Sequence, residues 1–312
     1  MATTVKSWLE VSKQIINPTE AEIILAVSMD VQDRSFFVTH GADKISDEAR
    51  KKADQMVALR ANKVPLAYIL GVKWFMGRPF LVNQNVLIPR PETELVAELA
   101  GKLYYRIIDG KFNSGEQTTS KKPVTIVDVG TGSGCIGLSV ALECANSQVI
   151  GLDISKDALT VARINRDKLG VKNIKFYKSD LLSTILRLKI RPEIIVANLP
   201  YVDESWEWQS PELQYEPKLA LYADKDGLAQ IYRLLDQIKR NFFSIKNPEE
   251  LSETEIQAEL ETNYVIIESD MSQQQKIIEY AEKLGFELGL KKDLILGFFY
   301  PVDKLKKFLV EF

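Results

Sequence analysis

Apolar residues recur at helical spacing over the first part of the chain, and the texture then changes. Helix starts are marked at Pro18–Glu22 and at Ser46–Glu48, where acidic residues fall in the first turn ahead of apolar residues. From Tyr68 onward, aromatic and β-branched residues are punctuated by glycines, which is typical of a hairpin. We therefore expect a helical domain over residues 1–70 and a hairpin connector over residues 71–90.

After the connector, short apolar runs that are typical of strands alternate with segments of helical periodicity. The pattern predicts a helix from Glu92 to about Ile108 and a polar surface loop over residues 110–123. Strands that alternate with helices indicate a parallel, doubly wound sheet. The predicted strands are Val124–Val129, Gln148–Asp153, Ile174–Tyr177 and Ile194–Ala197, and the helices between the first three are Ile136–Ala145 and Asp157–Leu169.

The last third of the chain completes the predicted fold. It contains a helix Gly227–Phe242, an acidic insert Asn247–Thr262, a strand Tyr264–Glu268, a helix Gln273–Leu284 and two strands, Phe286–Leu290 and Leu294–Tyr300. The last two strands have so short a link that they must be antiparallel. A mostly parallel seven-stranded sheet ending in such a hairpin is the Rossmann-like arrangement of class I S-adenosylmethionine-dependent methyltransferases. We expect this α/β fold over residues 91–312.

Composition and charge exclude several classes of protein. The 312 residues carry 40 Lys and Arg against 43 Asp and Glu, a balance that argues against direct nucleic-acid binding as the main task. One His and two Cys are too few ligands for a structural zinc site, so no metal is expected. No apolar run is long enough to span a bilayer, and the two thiols suit a reducing compartment. A cytoplasmic protein without a membrane partner is expected.

The glycine-rich segment that follows the first sheet strand is the strongest local signal. Glycines 130, 132 and 134 allow a tight turn and close approach of the backbone to a ligand, next to a helix N-terminus. A dinucleotide fingerprint would need Gly or Ala at position 135, where this chain has Cys135. An acid two residues ahead of alternating glycines, Asp128, resembles an S-adenosylmethionine loop instead. A plain strand-to-helix turn is the alternative interpretation.

Polar residues also end the next two predicted strands. Asp153 could accept hydrogen bonds from both ribose hydroxyls of a nucleoside or a nicotinamide cofactor. Asp180 could reach an adenine amine, and Leu181 could pack on the ring. Because the carboxyl ends of parallel strands meet at one edge, these residues predict a single crevice that binds an adenosine moiety.

The fourth strand leads into the tetrad Asn198–Tyr201, which follows a pattern with specific chemical use. The lone pair of a planar –NH2 group is conjugated, so the group is a poor nucleophile. The Asn198 side-chain oxygen and the Leu199 carbonyl could hold both hydrogens of that group and aim its lone pair at a methylsulfonium. Pro200 stiffens the backbone, and Tyr201 can lie flat against a planar amide or base. Asn and Pro are also ordinary turn residues.

The chain resembles the release-factor glutamine methyltransferases, the PrmC/HemK family. The motifs that carry the resemblance are Pro65–Gly71, Phe75–Phe80, Leu87–Glu94, Gly130–Gly134, Asp153–Ser155, Asn198–Tyr201, Glu216–Pro217, Ala220–Leu221 and Asp226–Leu228. The resemblance implies that the N-terminal helical domain docks a peptide-chain release factor and that S-adenosylmethionine is the cofactor. It also implies that the methyl group goes to the side-chain amide nitrogen of the glutamine in a Gly-Gly-Gln motif.

Three departures from the family pattern keep alternatives open. Leu199 stands where the family usually has proline, Leu181 stands where an aromatic residue is frequent, and the acidic insert replaces a Gly-rich turn. An Asn-Leu-Pro-Tyr tetrad is also similar to that of adenine dimethyltransferases of ribosomal RNA. The alternatives are an adenine amino-methyltransferase for RNA or DNA, and an inactive adaptor that binds the cofactor and a partner.

The sequence thus yields two sets of candidate site residues. The predicted cofactor-binding residues are Asp128, Gly130, Thr131, Gly132, Ser133, Gly134, Asp153, Asp180, Leu181 and Asn198, and the predicted catalytic and substrate-binding residues are Asn198, Leu199, Pro200 and Tyr201.

Overall fold

A computed structural model describes residues 3–113, 123–206, 210–242 and 263–300. Five helices form the N-terminal part: α1 (Val5–Ser12), α2 (Pro18–Met29), α3 (Phe36–Thr39), α4 (Asp47–Ala61) and α5 (Leu66–Leu70). The side chains of Thr4, Asn17 and Ser46 each accept a hydrogen bond from a first-turn backbone N–H of α1, α2 and α4, respectively. Apolar residues of these three helices, among them Val5 and Ile24, share a core of their own.

A two-stranded antiparallel hairpin connects this bundle to the rest of the molecule. Strands β1 (Val72–Phe75) and β2 (Arg78–Leu81) are joined by Met76 and Gly77, both with positive φ. Phe75 and Phe80 are buried and meet edge to face. The strands end well before residue 90, and the chain beyond them is held by burial of Val82 and Val86.

The central sheet confirms the predicted fold class. Its strands are β3 (Thr125–Val129), β4 (Gln148–Asp153), β5 (Ile174–Lys178), β6 (Ile194–Ala197), β7 (Asn263–Glu268), β8 (Glu287–Lys292) and β9 (Ile295–Tyr300), in the order β5-β4-β3-β6-β7-β9-β8. The first five strands in this order are parallel, and β9 and β8 complete the sheet as an antiparallel pair. Strand order reverses on either side of β3, which is where parallel sheets open a ligand crevice.

Helices cover both faces of the sheet. One face packs against α6 (Glu94–Asn113), α7 (Cys135–Glu143) and α8 (Lys156–Leu169). The other packs against α9 (Ser183–Arg187), α11 (Ala229–Phe242) and α12 (Gln274–Leu284), while the short α10 (Lys218–Leu221) lies near the strand ends. Within the described residues, every helix lacks the length and apolar character that a membrane span requires.

Several boundaries differ from the sequence prediction, among them those of α6 and α7. The predicted helix Glu92–Ile108 begins as a 3-10 turn, Pro91–Thr93, and α6 then continues to Asn113, so the surface loop does not begin at residue 110. A single glycine in a polar stretch does not end a helix, although it weakens the pattern that predicts one. Helix α7 ends one residue before Cys144, and both thiols are buried and free. Residues 114–122 of the predicted loop and the acidic insert lie outside the described residues.

Candidate active site

A cleft lies at the carboxyl ends of β3, β4, β5 and β6. It has about 1220 Å³ of empty volume, counted out to its open mouth. The loops that follow these strands form one wall, and the segment between the hairpin and α6 forms another, with Arg90 and Thr93. Residues around α10 close the remaining side. All three predicted strand-end sites, and the beginning of the tetrad, meet in this cleft.

The glycine loop bends sharply into the cleft. Gly130, Gly132 and Gly134 all have positive φ, which residues with a Cβ rarely adopt. A Cβ at position 130 would come within 3.1 Å of the Leu199 side chain, so glycine and Leu199 are packed against each other. Gly130, Thr131, Gly132 and Ser133 line the cleft, whereas Gly134 forms the N-cap of α7 and lies away from it.

Asp128 lies behind the glycine loop and not in the cleft wall. Its side chain is fully buried, and Oδ2 accepts hydrogen bonds from the Thr131 hydroxyl at 2.6 Å and from the Gly137 N–H at 3.0 Å. Burial raises the pKa of Asp128 to about 6, against the lowering effect of these two hydrogen bonds. The expectation that Asp128 contacts a cofactor does not match this placement, because a buried acid bonded to its own loop fixes the shape of that loop.

Asp153 faces the cleft and is the best placed of the predicted acids. Its Oδ2 accepts a hydrogen bond from Gly132 N–H at 2.9 Å, and its Oδ1 accepts one from Ser155 N–H at 2.8 Å. Burial raises its pKa, while the backbone donors of Ser155, Gly132 and Ile154 lower it. Each carboxylate oxygen has further acceptor capacity, so the pair of oxygens can receive two hydroxyls of a ribose.

The predicted adenine end of the cleft contains an ion pair that sequence reasoning missed. Asp180 Oδ2 accepts a hydrogen bond from Arg233 Nη2 at 2.6 Å, and both side chains are about half exposed. Leu181 is buried and has positive φ. Arg233 comes from α11 and lines the cleft with Asp180 and Leu181, so this end combines an apolar surface with both signs of charge.

The tetrad enters the cleft only in part. Asn198, Leu199 and Pro200 line it, and Asn198 Nδ2 donates a hydrogen bond to Thr93 Oγ1 at 3.1 Å. Tyr201 turns away and packs in the second core, where its carbonyl accepts a hydrogen bond from Gln273 Nε2 at 2.7 Å. Burial, with the charges of Glu268 and Glu92, raises the pKa of the Tyr201 hydroxyl far above its usual range. The expected contact of Tyr201 with a planar substrate group does not match this placement.

Two buried acids near the tetrad were not predicted as site residues. Glu216 Oε1 accepts a hydrogen bond from Arg90 Nη2 at 2.5 Å, and Oε2 accepts one from Ile88 N–H at 3.0 Å. Glu268 ends β7, beside Asn198, and is also buried. The sequence does contain a signal for the ion pair of Arg90 and Glu216, since both residues fall in motifs of the family pattern. Glu268 ends an apolar strand and gives no such signal.

The groups that line the cleft fit an adenosyl sulfonium ligand. A glycine loop for close backbone approach, Asp153 for ribose hydroxyls and the apolar Leu181 surface lie along one wall. The acceptor end of Asn198 and the Leu199 carbonyl belong to the adjoining loop. Among the described residues, acids, thiols and imidazole do not gather in a group that could hold a metal ion.

Comparison with known proteins matches both parts of the chain. Residues 120–283 match a methyltransferase domain family, and residues 9–71 match the PrmC N-terminal domain family. A release factor glutamine methyltransferase of Bacillus subtilis is 36% identical over 222 residues, which cover 70% of this chain and 72% of that protein. The enzyme of the same name from Neisseria gonorrhoeae is 36% identical over 74% of this chain and 78% of its own. That from Escherichia coli is 31% identical over 72% and 75%, respectively.

Proposed function

The chain belongs to the release factor glutamine methyltransferases, and from that premise we propose how its cleft carries out the reaction. The protein transfers a methyl group from S-adenosylmethionine to a glutamine of a release factor. In our proposal the acceptor is the side-chain amide nitrogen of the glutamine in a Gly-Gly-Gln motif. The activity would then belong to translation termination in the cytoplasm.

The observation that supports this assignment is the orientation of Asn198. Its Nδ2 is engaged by Thr93 Oγ1 at 3.1 Å, so its Oδ1 is the end available to the cleft. Together with the Leu199 carbonyl, it offers two acceptors for the two hydrogens of a substrate amide. Holding both hydrogens fixes the plane of the amide and directs the nitrogen lone pair out of that plane toward the methyl donor.

The remaining chemistry requires position more than acid or base strength. Bound S-adenosylmethionine supplies a methyl group that its sulfonium already makes electrophilic. Asp153 and the glycine loop hold the cofactor in the proposal, and Asp128 keeps that loop in shape through Thr131 and Gly137. Catalysis then comes from alignment of the two reactants, which is worth several orders of magnitude in rate.

We assign substrate docking to the N-terminal helical domain. A side-chain amide is a small target, so most of the binding energy for a protein substrate must come from remote contacts. The domain contacts the segment that leads from the tetrad to Glu216. Arg60 of α4 donates to Glu212 at 2.5 Å, and the Tyr215 hydroxyl donates to the Asn62 carbonyl at 2.7 Å. A docked release factor would therefore be held in a fixed position relative to the reaction end of the cleft, which is the end lined by Asn198, Leu199 and Pro200.

A competition assay tests the proposal. A release factor and an RNA are incubated together with the protein and labelled S-adenosylmethionine, and peptide mapping locates the label. We expect one added methyl group on the Gly-Gly-Gln glutamine and none when that glutamine is replaced by asparagine. Label on the RNA alone would reject the glutamine assignment in favour of an adenine methyltransferase, and label on neither substrate would favour an inactive adaptor.

The variant Asn198→Ala addresses the proposed role of the tetrad. We expect its turnover to fall by about 100- to 1,000-fold, as when one oriented polar group is removed from other active sites. Affinity for S-adenosylmethionine, measured by calorimetry, should change far less, because Asp153 and the glycine loop are untouched. Equal losses of turnover and cofactor affinity would show that Asn198 only supports the cofactor site.

A further inference from the structure

Glu268 is a buried acid without a role in the mechanism above. It is the last residue of β7 and lies one position beyond the Ala197–Ile267 pair of the β6–β7 ladder, which puts it beside Asn198. Its relative exposure is 1%. Within the described residues, neither carboxylate oxygen makes a hydrogen bond of good geometry. Such an acid is costly to the fold, and its position next to the reaction end gives a reason for its presence.

Three side-chain donors converge on this carboxyl. Thr93, Asn198 and Tyr201 each face it and lower its pKa, but burial has the largest effect and, with the charge of Glu92, raises the pKa of Glu268 to about 7. The Thr93 oxygen accepts from Asn198 Nδ2 at 3.1 Å, so its hydroxyl hydrogen is free to point toward Glu268. The carboxyl therefore lies at the end of a short polar chain that begins at the wall of the cleft.

We propose that Glu268 is a positioning residue that fixes the side-chain amide of Asn198 with its oxygen toward the substrate. This inference rests on the proposed function of Asn198. The two ends of an amide have the same shape, so an asparagine can turn by half a revolution unless its neighbours distinguish donor from acceptor. An ionised carboxylate can only accept, so it attracts the Nδ2 end of Asn198 and the Thr93 hydroxyl. A turned Asn198 would present its –NH2 to the substrate –NH2, which prevents productive binding.

Ionisation of Glu268 links this orientation to pH. When protonated, Glu268 carries an O–H group that can donate, and it no longer excludes the turned amide. We therefore expect kcat to rise with pH as Glu268 ionises, near its pKa of about 7. The other titratable or charged groups that face this carboxyl or its neighbour Tyr201 are Glu92, Asp270, Arg90, Cys135 and Tyr201 itself.

Two of these groups cannot produce a kcat limb near neutral pH. Burial raises the pKa of the Cys135 thiol to about 12, and burial also raises the pKa of the Tyr201 hydroxyl above its usual range. Glu92 is exposed, and its charge raises the pKa of Glu268. Removing that charge with Glu92→Gln should therefore move the acid limb of kcat to lower pH.

The test measures kcat and KM of the full-length protein against a release factor over pH 5.5–9, a range chosen to bracket the expected limb. We expect Glu268→Gln, which keeps the shape but can also donate, to lower kcat by about 10- to 100-fold, as a small misplacement of a reacting group does. KM and cofactor affinity should change little, and the acid limb should disappear. In an Asn198→Ala background, Glu268→Gln should cause no further loss of kcat, because it acts through Asn198.

Several results would overturn the inference. One is a Glu268→Gln variant that has the same kcat and pH profile as the parent. Another is a Glu268→Gln substitution that lowers kcat by the same factor in the Asn198→Ala background as in the parent. If Glu268→Gln fails to fold, Glu92→Gln decides, because an acid limb that does not move would exclude Glu268 as its source. An Asn198→Ala variant with full turnover would reject the proposed function itself. An inactive Asn198→Ala beside a fully active Glu268→Gln would reject only the inference about Glu268.

Discussion

The two halves of the cleft are built in different ways. The cofactor half comes mainly from one stretch of chain, from β3 to the loop after β5, and α11 adds Arg233 at its adenine end. Its buried acid Asp128 is hydrogen-bonded to residues three and nine positions away. The reaction half joins distant segments: Ile88 and Glu216 are separated by 128 residues, and Asn198 and Thr93 by 105. The first half is fixed by local structure, whereas the second depends on tertiary packing.

The acids of the two halves illustrate the same difference. Asp128 has donors that satisfy one oxygen and hold a loop, so its role is completed by the fold. Glu268 has donors that face it without satisfying it, in a position where orientation of a neighbour matters. We infer that the cofactor half is preformed by its own sequence, and that the reaction half responds to changes in remote segments.

The largest expected effect is on the reaction half, from Glu216→Ala. Glu216 is buried, and its loss leaves Ile88 N–H and the Arg90 guanidinium without their acceptor. We expect a loss of about 2–4 kcal/mol in the free energy of unfolding, below the full cost for a buried pair because Arg90 is partly exposed. Chemical denaturation measures it. The matched control Glu143→Ala, whose pair with Arg78 is at the surface, should cost less than about 1 kcal/mol.

Equal effects of these two variants would contradict the difference between the halves. They would mean that the pair of Arg90 and Glu216 behaves as a surface ion pair, and that the segments of the reaction half are held by apolar packing alone.

This contrast explains which parts of the site were accessible from sequence. The glycine loop follows directly on a predicted strand and Asp153 ends the next one, so local pattern places both at the sheet edge. Alternation of helices and strands likewise predicts that the sheet is parallel. Local pattern cannot reveal that Asp128 turns behind its loop or that Tyr201 packs in the second core. Those directions depend on residues such as Gly137 and Gln273, which packing brings close.

Affinity for the cofactor should depend chiefly on Asp153. In Asp153→Ala the Gly132 and Ser155 N–H groups lose their acceptor, and two ribose hydroxyls would lose theirs. We expect S-adenosylmethionine to bind about 1–3 kcal/mol more weakly, which is about 5- to 150-fold in Kd. Calorimetric titration measures this change. Asp180→Ala is the control, because its carboxylate is half exposed and already paired with Arg233, and it should change Kd within about fivefold.

A loss in Asp180→Ala as large as that in Asp153→Ala would shift the main polar contact to the adenine end. An unchanged Kd for both variants would leave the glycine loop and apolar contacts as the source of affinity.

The pH dependence of stability should reveal the buried Asp128. Its pKa is raised from the ordinary 3.8 to about 6, so folding favours the protonated form. The stabilisation from this group is complete below about pH 4 and is lost as pH rises to about 6, because the unfolded chain ionises first. Asp128→Asn cannot ionise and keeps an oxygen for Thr131 and Gly137. Its free energy of unfolding should therefore gain about 1–3 kcal/mol relative to the parent between pH 4 and pH 6.

An exposed acid with the opposite shift provides the control. The backbone N–H and hydroxyl of Ser35 lower the pKa of Asp33, so its small contribution is present above the ordinary value and is lost as pH falls. Asp33→Asn should thus change the pH profile weakly and with the opposite sign. A difference between parent and Asp128→Asn that is independent of pH would show that Asp128 does not ionise in this range.

The smallest expected effect concerns the link from the helical domain to the reaction half. Arg60 is mostly buried and donates to Glu20 of α2 at 2.7 Å and to Glu212 at 2.5 Å, so one guanidinium joins the two regions. Arg60→Ala should loosen the orientation of the helical domain. We expect this to cost about 1 kcal/mol of transition-state stabilisation, measured as about a fivefold fall in kcat/KM for a release factor. Cofactor affinity should stay unchanged, because the hydrogen-bond partners of this arginine in the described part of the chain, Glu20, Val64 and Glu212, lie outside the cofactor half. Arg50→Ala on the same helix, whose pairs are exposed and local, should leave both quantities as in the parent.

If Arg60→Ala weakens cofactor binding as much as it lowers kcat/KM, the two halves respond to the helical domain together, and the distinction between a preformed cofactor half and a packing-dependent reaction half is wrong.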